Sequence, residues 1–207
     1  MTSRDARLIL IRHGETEGES SIRYHGRTDV ALSELGREQM HLAGRAIETR
    51  HSVKHLERVF SSPLVRASEG ARIVAGDSAP LTTIDEFAEV HFGLFEGLTA
   101  DEIRERYPEE FALWNADRLA PTYTYPEGES RADFTNRVER GLDRMLTLWT
   151  PRERDALLVA HRGVIRAIVR KLTRSEPVVE LGSIHIIRFD GSWHAEMIDL
   201  VDHLSDA

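Results

Sequence analysis

The sequence predicts an α/β fold: a three-layer α/β/α sandwich with a mainly parallel sheet, one antiparallel edge and a helical cap insertion. Three observations predict it. Short apolar runs alternate with stretches of helical period along most of the 207 residues. These apolar runs do not alternate with polar residues, as is typical of parallel strands covered by helices on both faces. The last two β-rich runs are joined by Asp190-Gly191-Ser192, which predicts a hairpin at one edge of the sheet.

The first half of the chain begins with a strand predicted at 8–11, where four apolar β-formers lie between charged residues. A helix follows, with Ser33 as its N-cap and its end near Thr49. A second short strand ends at 59–60. We expect Ser61-Ser62-Pro63 to open the next helix with the proline in its first turn, because proline has no amide hydrogen to lose there.

The middle of the chain has a different pattern of residues. A third strand is predicted at 81–84, and the stretch at about 92–149 is then mainly helical, so we expect it to be a cap insertion over one end of the sheet. Thr99 and Glu102 have the spacing of a capping box. Ser130 is the expected N-cap of a long helix that ends near 149.

The last third returns to the strand–helix pattern. A strongly apolar strand is predicted at 156–160, and the helix after it reaches about Leu172. The predicted hairpin strands are 184–189 and 193–198. No internal repeat is present, so residues 1–207 are interpreted as a single domain that carries the cap.

Composition excludes several classes of protein. There are 27 Lys and Arg against 35 Asp and Glu, a net charge of −8, and there is no cysteine. A disulfide framework, a thiolate metal site and a cysteine nucleophile are therefore excluded, and the acidic balance argues against nucleic acid as a partner. With no long apolar run and no signal-peptide pattern at the start, we expect a cytoplasmic protein that does not bind a membrane.

Two apolar strands share one ending: each is followed at once by histidine and, within two residues, by glycine. The segments are Arg12-His13-Gly14 and His161-Arg162-Gly163. In open α/β sheets, ligands bind beyond the carboxyl ends of the strands. If the two strands are neighbours, both imidazoles face one pocket. A single histidine after a strand is more often an ordinary loop residue, but two in the same design favour a functional site.

Other residues extend this candidate pocket. Arg12 adds a cation beside His13, and Arg66 lies in the first turn of the helix after the second strand, where anions are favoured. Glu89 follows the third strand, and a carboxyl group in such a pocket is suited to acid–base chemistry. A cationic pocket inside an acidic protein predicts a small phosphorylated ligand.

These residues, taken together, resemble the histidine phosphatase (phosphoglycerate mutase-like) superfamily, and the phosphatase branch within it. The resemblance covers roughly residues 7–200, and its ordered blocks make a chance match very improbable. The blocks are Arg12-His13-Gly14-Glu15-Thr16, Arg23-x-x-Gly26-x-x-Asp29-x-x-Leu32-Ser33-x-x-Gly36, Ser61-Ser62-Pro63-Leu64-x-Arg66-Ala67, Glu89-x-x-Phe92-Gly93-x-x-Glu96-Gly97, Gly128-Glu129-Ser130 and Val159-Ala160-His161.

The resemblance implies a metal-independent phosphomonoester hydrolase without a cofactor. His13 would attack phosphorus and become a phosphohistidine. Arg12, Arg66 and His161 would bind the three equatorial oxygens. Glu89 would protonate the leaving oxygen and then activate water.

The resemblance also implies substrate-binding positions and shows departures. Arg23 would be a fourth phosphate contact, with Gly26 in the same block, and Thr16 would donate through its backbone or hydroxyl. Glu19 stands where the family often has Asn, and we expect this carboxylate to turn outward or pair, with Arg23 as a candidate partner. Two further departures are His25 in place of Gln and Arg162 in place of Gly.

Two alternatives remain open from the sequence. One is a cofactor-dependent phosphoglycerate mutase, although Phe92 stands where the mutases of the family have Tyr. The other is a non-catalytic module that binds phosphorylated ligands. A homodimer through the terminal strands is also left open. Outside the candidate pocket, His185, His194 and His203 are expected to be surface or edge residues.

Overall fold

The computed structural model describes residues 6–51, 53, 56–76, 80–117, 120, 122–151 and 154–206. Within these residues, six strands form one sheet and six α-helices pack around it. The strands are β1 (Ala6–Arg12), β2 (Leu56–Ser61), β3 (Leu81–Thr83), β4 (Asp155–Ala160), β5 (Ile184–Phe189) and β6 (Trp193–Leu200). The helices are α1 (Glu34–Thr49), α2 (Val65–Ala75), α3 (Ala100–Arg106), α4 (Pro108–Asp117), α5 (Arg131–Leu148) and α6 (Arg162–Thr173).

The sheet confirms the predicted fold class. Its strand order is β3-β2-β4-β1-β5-β6. The first four strands in this order are mutually parallel, whereas β5 runs antiparallel to both β1 and β6. The antiparallel edge is therefore the C-terminal hairpin, as the sequence predicts.

The central pair, β1 and β4, explains why these strands are apolar along their whole length. Successive side chains of a strand point to opposite faces of the sheet. Accordingly, Leu8 and Leu10 pack in one hydrophobic cluster, whereas Ile9 and Ile11 pack in the cluster on the other face. Both faces are covered by helices, so neither face tolerates polar side chains.

Helix starts follow the predicted capping residues with one exception. Ser33 and Ser130 each accept a hydrogen bond from an amide of the first turn, and Thr99 forms a capping box with Glu102. Pro63 was expected in the first turn of α2, but this prediction is wrong. The helix begins at Val65 with Leu64 as N-cap, so the proline lies in the preceding turn.

The range predicted as cap contains two kinds of helix. The short helices α3 and α4 pack with the aromatic loop at 122–126. In contrast, α5 packs against α6, the helix that directly follows β4 along the chain. We therefore propose that the cap is limited to about 92–130, because α5 is part of the helical layer that covers the sheet.

Two of the three C-terminal histidines are not surface residues, so that prediction is wrong for them. His185 on β5 is 0% exposed and His203 is 2% exposed, whereas His194 is exposed. The His185 ring is satisfied inside the protein, since Nε2 contacts the Ser183 hydroxyl and Nδ1 accepts from the Asp199 amide. In the described part of the chain, no helix is long and apolar enough to cross a membrane.

Candidate active site

A cleft of about 160 Å³ opens at the carboxyl ends of β1 and β4. These strands are neighbours, with Arg12 paired to Ala160, and the His13 amide donates to the Ala160 carbonyl. The residues that directly follow the two strands therefore face the same space. The cleft is lined by Arg12, His13, Ser20, Ser21, Ile22, Arg23, Tyr24, His25, Gly26, Arg66, Glu89, Phe92, His161 and Arg162.

His13 is held in one tautomer by its two ring contacts. Its Nδ1 lies 2.7 Å from the Gly14 carbonyl oxygen, which can only accept, so Nδ1 carries the proton. Its Nε2 lies 3.3 Å from Nε of Arg66, which can only donate. Nε2 therefore carries a lone pair, and it is the nucleophilic nitrogen of this ring.

His161 is also fixed, through the hydroxyl of Ser62. The Ser62 oxygen accepts from the Leu64 amide at 3.3 Å and lies 2.7 Å from Nε2 of His161. Among the described residues, Nε2 is the acceptor available to the buried Ser62 hydroxyl, so the hydroxyl donates to Nε2 and the ring proton of His161 is on Nδ1. This Nδ1 is buried and has no hydrogen-bond partner in the described structure. A buried donor without a partner is costly, and an anionic ligand would satisfy it.

Two buried arginines complete the floor of the cleft. Arg66 is 1% exposed and donates to His13 and to the carbonyls of Gly26 and Thr28. Arg12 donates through one terminal nitrogen to the Val179 carbonyl, while its Nε is buried without a partner among the described residues. The guanidinium groups are thus anchored by backbone oxygens, and neither forms a direct ion pair with a carboxylate among the described residues.

Glu89 lies at the side of the floor. Its carboxylate accepts from the amides of Val90 and Gly163, at 3.0 Å each. Arg137 donates to the backbone carbonyl of Glu89 and forms an ion pair with Glu129. The side chains of Arg137 and Glu129 are largely buried. The carboxylate is therefore fixed in position by the backbone on both sides.

The electrostatics of the floor favour neutral imidazoles. Burial lowers the pKa of both His13 and His161 well below the usual value, and the positive charge of Arg66 lowers them further. Burial and the nearby Arg162 lower the pKa of Arg12 to about 9. At neutral pH both imidazoles are uncharged, so His13 can act as a nucleophile without first losing a proton.

The family model described as "Histidine phosphatase superfamily (branch 1)" matches residues 8–194. This chain belongs to the histidine phosphatase superfamily. The match spans nearly the whole described chain and includes both strand–histidine segments, so the resemblance of the sequence motifs is confirmed.

This histidine phosphatase chain is similar in sequence to proteins from two bacterial species. It is 33% identical over 208 residues to a bifunctional protein of Mycobacterium tuberculosis, with 96% of this chain covered but only 55% of the relative. The chain thus spans about half the length of that relative. It is also 33% identical over 164 residues to phosphoserine phosphatase 1 of Hydrogenobacter thermophilus, covering 78% of this chain and 74% of the relative.

A solved structure shares the fold of this superfamily member. The α-ribazole phosphatase from Shigella flexneri superposes with a TM-score of 0.80 at 25% sequence identity. The superposition covers 94% of this chain and 96% of that chain. The similarity therefore includes the sheet, both helical layers and the cap.

Of the residues predicted for the site, the five assigned to chemistry lie together. His13, Arg12, Arg66, Glu89 and His161 all line the cleft of this histidine phosphatase.

Of the four positions predicted for substrate binding, two line the cleft and two do not. Arg23 and Gly26 line the cleft, but Arg23 is bound to Glu102 at 2.6 Å and the Gly26 carbonyl is bound to Arg66. Thr16 is buried against Ser20 and is outside the described lining. Glu19 also lies outside that lining, with 63% of its side chain exposed and Nε of Arg23 3.6 Å away.

Three supporting residues were missed by sequence reasoning. They are Ser62, which sets the His161 tautomer, Arg137, which holds the loop of Glu89, and Val179, whose carbonyl receives Arg12. Ser62 lies within a family block, so its position was a usable signal. For Val179 no such signal existed, because its φ of 61° is a left-handed conformation that β-branched residues rarely adopt.

Proposed function

We propose that this chain is a metal-independent phosphomonoesterase that works through a phosphohistidine at His13. The observation that carries the proposal is the Nε2 lone pair of His13, which is fixed at the floor of a cleft beside two arginines that form no direct ion pair with a described carboxylate. Relatives named phosphoserine phosphatase and α-ribazole phosphatase support hydrolysis of phosphate esters as the reaction class. The substrate class is a small phosphorylated metabolite.

In the first step, the Nε2 lone pair attacks phosphorus and the ester P–O bond breaks, with its electron pair going to the leaving oxygen. Protonated Glu89 gives its proton to that oxygen, so the alcohol leaves neutral. Arg66 releases its hydrogen bond to Nε2 as the P–N bond forms, and its Nε–H turns to a phosphoryl oxygen. The product is a phosphohistidine that retains the proton on Nδ1.

The transferring phosphoryl group carries negative charge on three oxygens, which the floor of the cleft stabilises. The unpartnered Nε–H of Arg12 and Nδ1–H of His161 are donors that need no reorganisation to bind them. Arg66 supplies the third contact. This preorganised positive field provides what a metal ion would supply in other phosphatases.

In the second step, water attacks phosphorus from the side that the alcohol has left. The Glu89 carboxylate accepts a proton from this water, the P–N bond breaks, and its electron pair returns to Nε2. Inorganic phosphate is released, and Glu89 is again protonated for the next cycle. The two amide donors to Glu89 keep the carboxyl group at the same place in both steps.

The test is release of phosphate from p-nitrophenyl phosphate in the presence of EDTA. We expect the wild type to be active and His13→Ala to lose at least ~10⁴-fold in kcat/KM, because the nucleophile is gone. His41→Ala, which removes an exposed histidine from α1, is the matched control and should match the wild type. Normal turnover in His13→Ala would overturn the mechanism.

Intact-mass measurement of the substrate-mixed protein, kept at neutral to alkaline pH, separates the alternatives. A phosphorylated wild-type protein that then loses the phosphoryl group to water supports the phosphatase. A phosphoryl group returned to phosphoglycerate instead supports a mutase. Complete absence of phosphorylation with every phosphomonoester in a broad panel would indicate a module that only binds.

A further inference from the structure

The cleft has a cation that the proposed mechanism does not use. Arg162 is the first residue of α6, it lines the cleft, and its side chain is exposed. Its Nε donates to the Val179 carbonyl at 3.2 Å, and its two terminal nitrogens donate to no residue in the described part of the chain. Among the residues that the structure describes, no carboxylate lies within 4 Å of this guanidinium.

Arg23, another cation in the outer part of the cleft, differs from Arg162 because two carboxylates lie within 4 Å of it. Arg23 is also in the lining, but it is bound to Glu102 at 2.6 Å and has Glu19 at 3.6 Å. Its charge is already compensated by the protein. Arg162 therefore presents an uncompensated positive charge to whatever occupies the cleft.

The location of Arg162 tells which part of a substrate it would meet. It is flanked by His161, which donates toward the phosphoryl oxygens, and by Gly163, whose amide binds Glu89. Glu89 is the proton donor to the leaving oxygen in the proposed function. His13 lies at the buried floor and an in-line displacement sends the leaving group toward the opening, so the exposed Arg162 side chain lies on the leaving-group side of the cleft.

The Val179 carbonyl also fixes Arg162 relative to the phosphoryl site. Arg12 and Arg162 donate to the same oxygen, at 3.1 and 3.2 Å. The two donor nitrogens cannot be farther apart than two hydrogen-bond lengths. Two cations held this close repel each other, and the pKa of Arg12 is lowered in part by Arg162. A ligand with two negative groups would relieve this repulsion.

We propose that Arg162 is a specificity-determining residue, which selects phosphomonoesters whose leaving group carries a second anionic group close to the ester oxygen. The anionic group is a carboxylate or a second phosphate, since the planar guanidinium suits both. This inference rests on the proposed phosphatase function and names the substrate class for it.

The experiment compares pairs of substrates that differ only in the second anion. Phosphoglycolate and hydroxyethyl phosphate differ in a carboxylate, and propanediol bisphosphate and propanediol monophosphate differ in a phosphate. We expect the wild type to prefer the anionic member of at least one pair by about tenfold in kcat/KM. The pair that shows the preference identifies the anion as carboxylate or phosphate.

The variant Arg162→Met removes the charge and keeps most of the side-chain length. We expect the preference to fall to about equality, mainly through KM, because binding of the second anion is lost. Arg162→Lys should recover part of it, since it restores a positive charge without the planar fork. Arg166→Met, one turn further along the exposed side of α6, is the matched control and should keep the full preference.

The outcomes separate the two proposals. Equal rates for both members of both pairs, or a preference that survives in Arg162→Met, would overturn the role of Arg162 while phosphatase activity stands. A wild type that hydrolyses none of the four esters nor p-nitrophenyl phosphate would overturn the proposed function and this inference with it. Thermal unfolding of each variant confirms that it is folded.

Discussion

The ends of β1 and β4 have the same local design, yet they present opposite chemistry to the cleft. Each strand delivers a buried histidine whose proton is on Nδ1. In His13 the protonated nitrogen is turned to the backbone, and the lone pair on Nε2 faces the cleft, where it accepts a 3.3 Å hydrogen bond from Arg66. In His161 the lone pair is used by Ser62 and the Nδ1–H remains. One ring is thus built as a nucleophile and the other as a donor.

The chemical role of each histidine is therefore determined by the partner of its second ring nitrogen and not by the strand–histidine motif. For His13 the partner is an acceptor, the Gly14 carbonyl. For His161 it is a hydroxyl that donates, because Nε2 is the acceptor that the described structure offers to its buried proton. A change at either partner would therefore alter the chemistry without touching the imidazole.

The largest effect is expected from removing the donor while keeping the nucleophile. His161→Leu should lower kcat/KM for p-nitrophenyl phosphate by about 10²–10³-fold, the range found when one transition-state donor is lost. His161→Asn should recover part of this loss, because its amide can reach the place of Nδ1. Unlike His13→Ala, both variants should still form the phosphoenzyme, measured by intact mass. If His161→Asn forms no phosphoenzyme, the assignment of His13 as nucleophile and His161 as donor is wrong.

The second prediction concerns stability and pH. Because the pKa values of both imidazoles are lowered in the folded protein, the unfolded chain binds more protons as pH falls below about 6.5. The stability they provide is complete above that pH and is lost as pH falls toward the folded-state values. His13→Ala and His161→Leu should each flatten the dependence by about one proton, ~1.4 kcal/mol per pH unit.

Urea unfolding between pH 7 and pH 5 measures this slope. His41→Ala, which removes an exposed histidine, should leave the slope as in the wild type. A slope that stays unchanged in both cleft variants would mean that the two imidazoles bind protons in the folded protein as they do in the unfolded chain, so that their pKa values are not lowered.

The smallest effect is expected from Ser62→Ala. The loss of one hydrogen bond, about 1 kcal/mol, frees His161 to exchange tautomers and should lower kcat/KM by about fivefold. Nitrogen NMR of the imidazoles should show a mixed tautomer for His161 and an unchanged one for His13. Ser68→Ala in the first turn of α2, outside the cleft lining, is the control. A single unchanged His161 tautomer would show that Ser62 does not select it.

The sequence was sufficient to predict the strand ends and the residues that follow them. Apolar runs with no alternation predicted buried parallel strands, and parallel strands necessarily deliver His13 and His161 to one edge. The neighbouring position of β1 and β4 was a condition in that reasoning, because pairing between distant segments has no local signal. The structure supplied it.

What could not be predicted depends on long-range hydrogen bonds. The left-handed backbone at Val179 is stabilised by the Asp199 carboxylate, which accepts from the amides of Val178 and Val179. This partner lies 20 residues away in sequence, on strand β6, whereas Val179 lies in the loop before β5. His185 was expected at the surface for a similar reason, because its burial follows from the position of β5 between β1 and β6.

The carbonyl oxygen of Val179 has a consequence for ligand length. It anchors one nitrogen of Arg12 and one of Arg162 at once, so the main chain limits how far apart the two positive charges can lie. This limit on the separation would distinguish dianionic ligands by their length. Dianions whose charged ends match it gain from both cations, whereas shorter or longer ones gain from only one. Selection by length would then be inherited from the C-terminal hairpin, through Asp199.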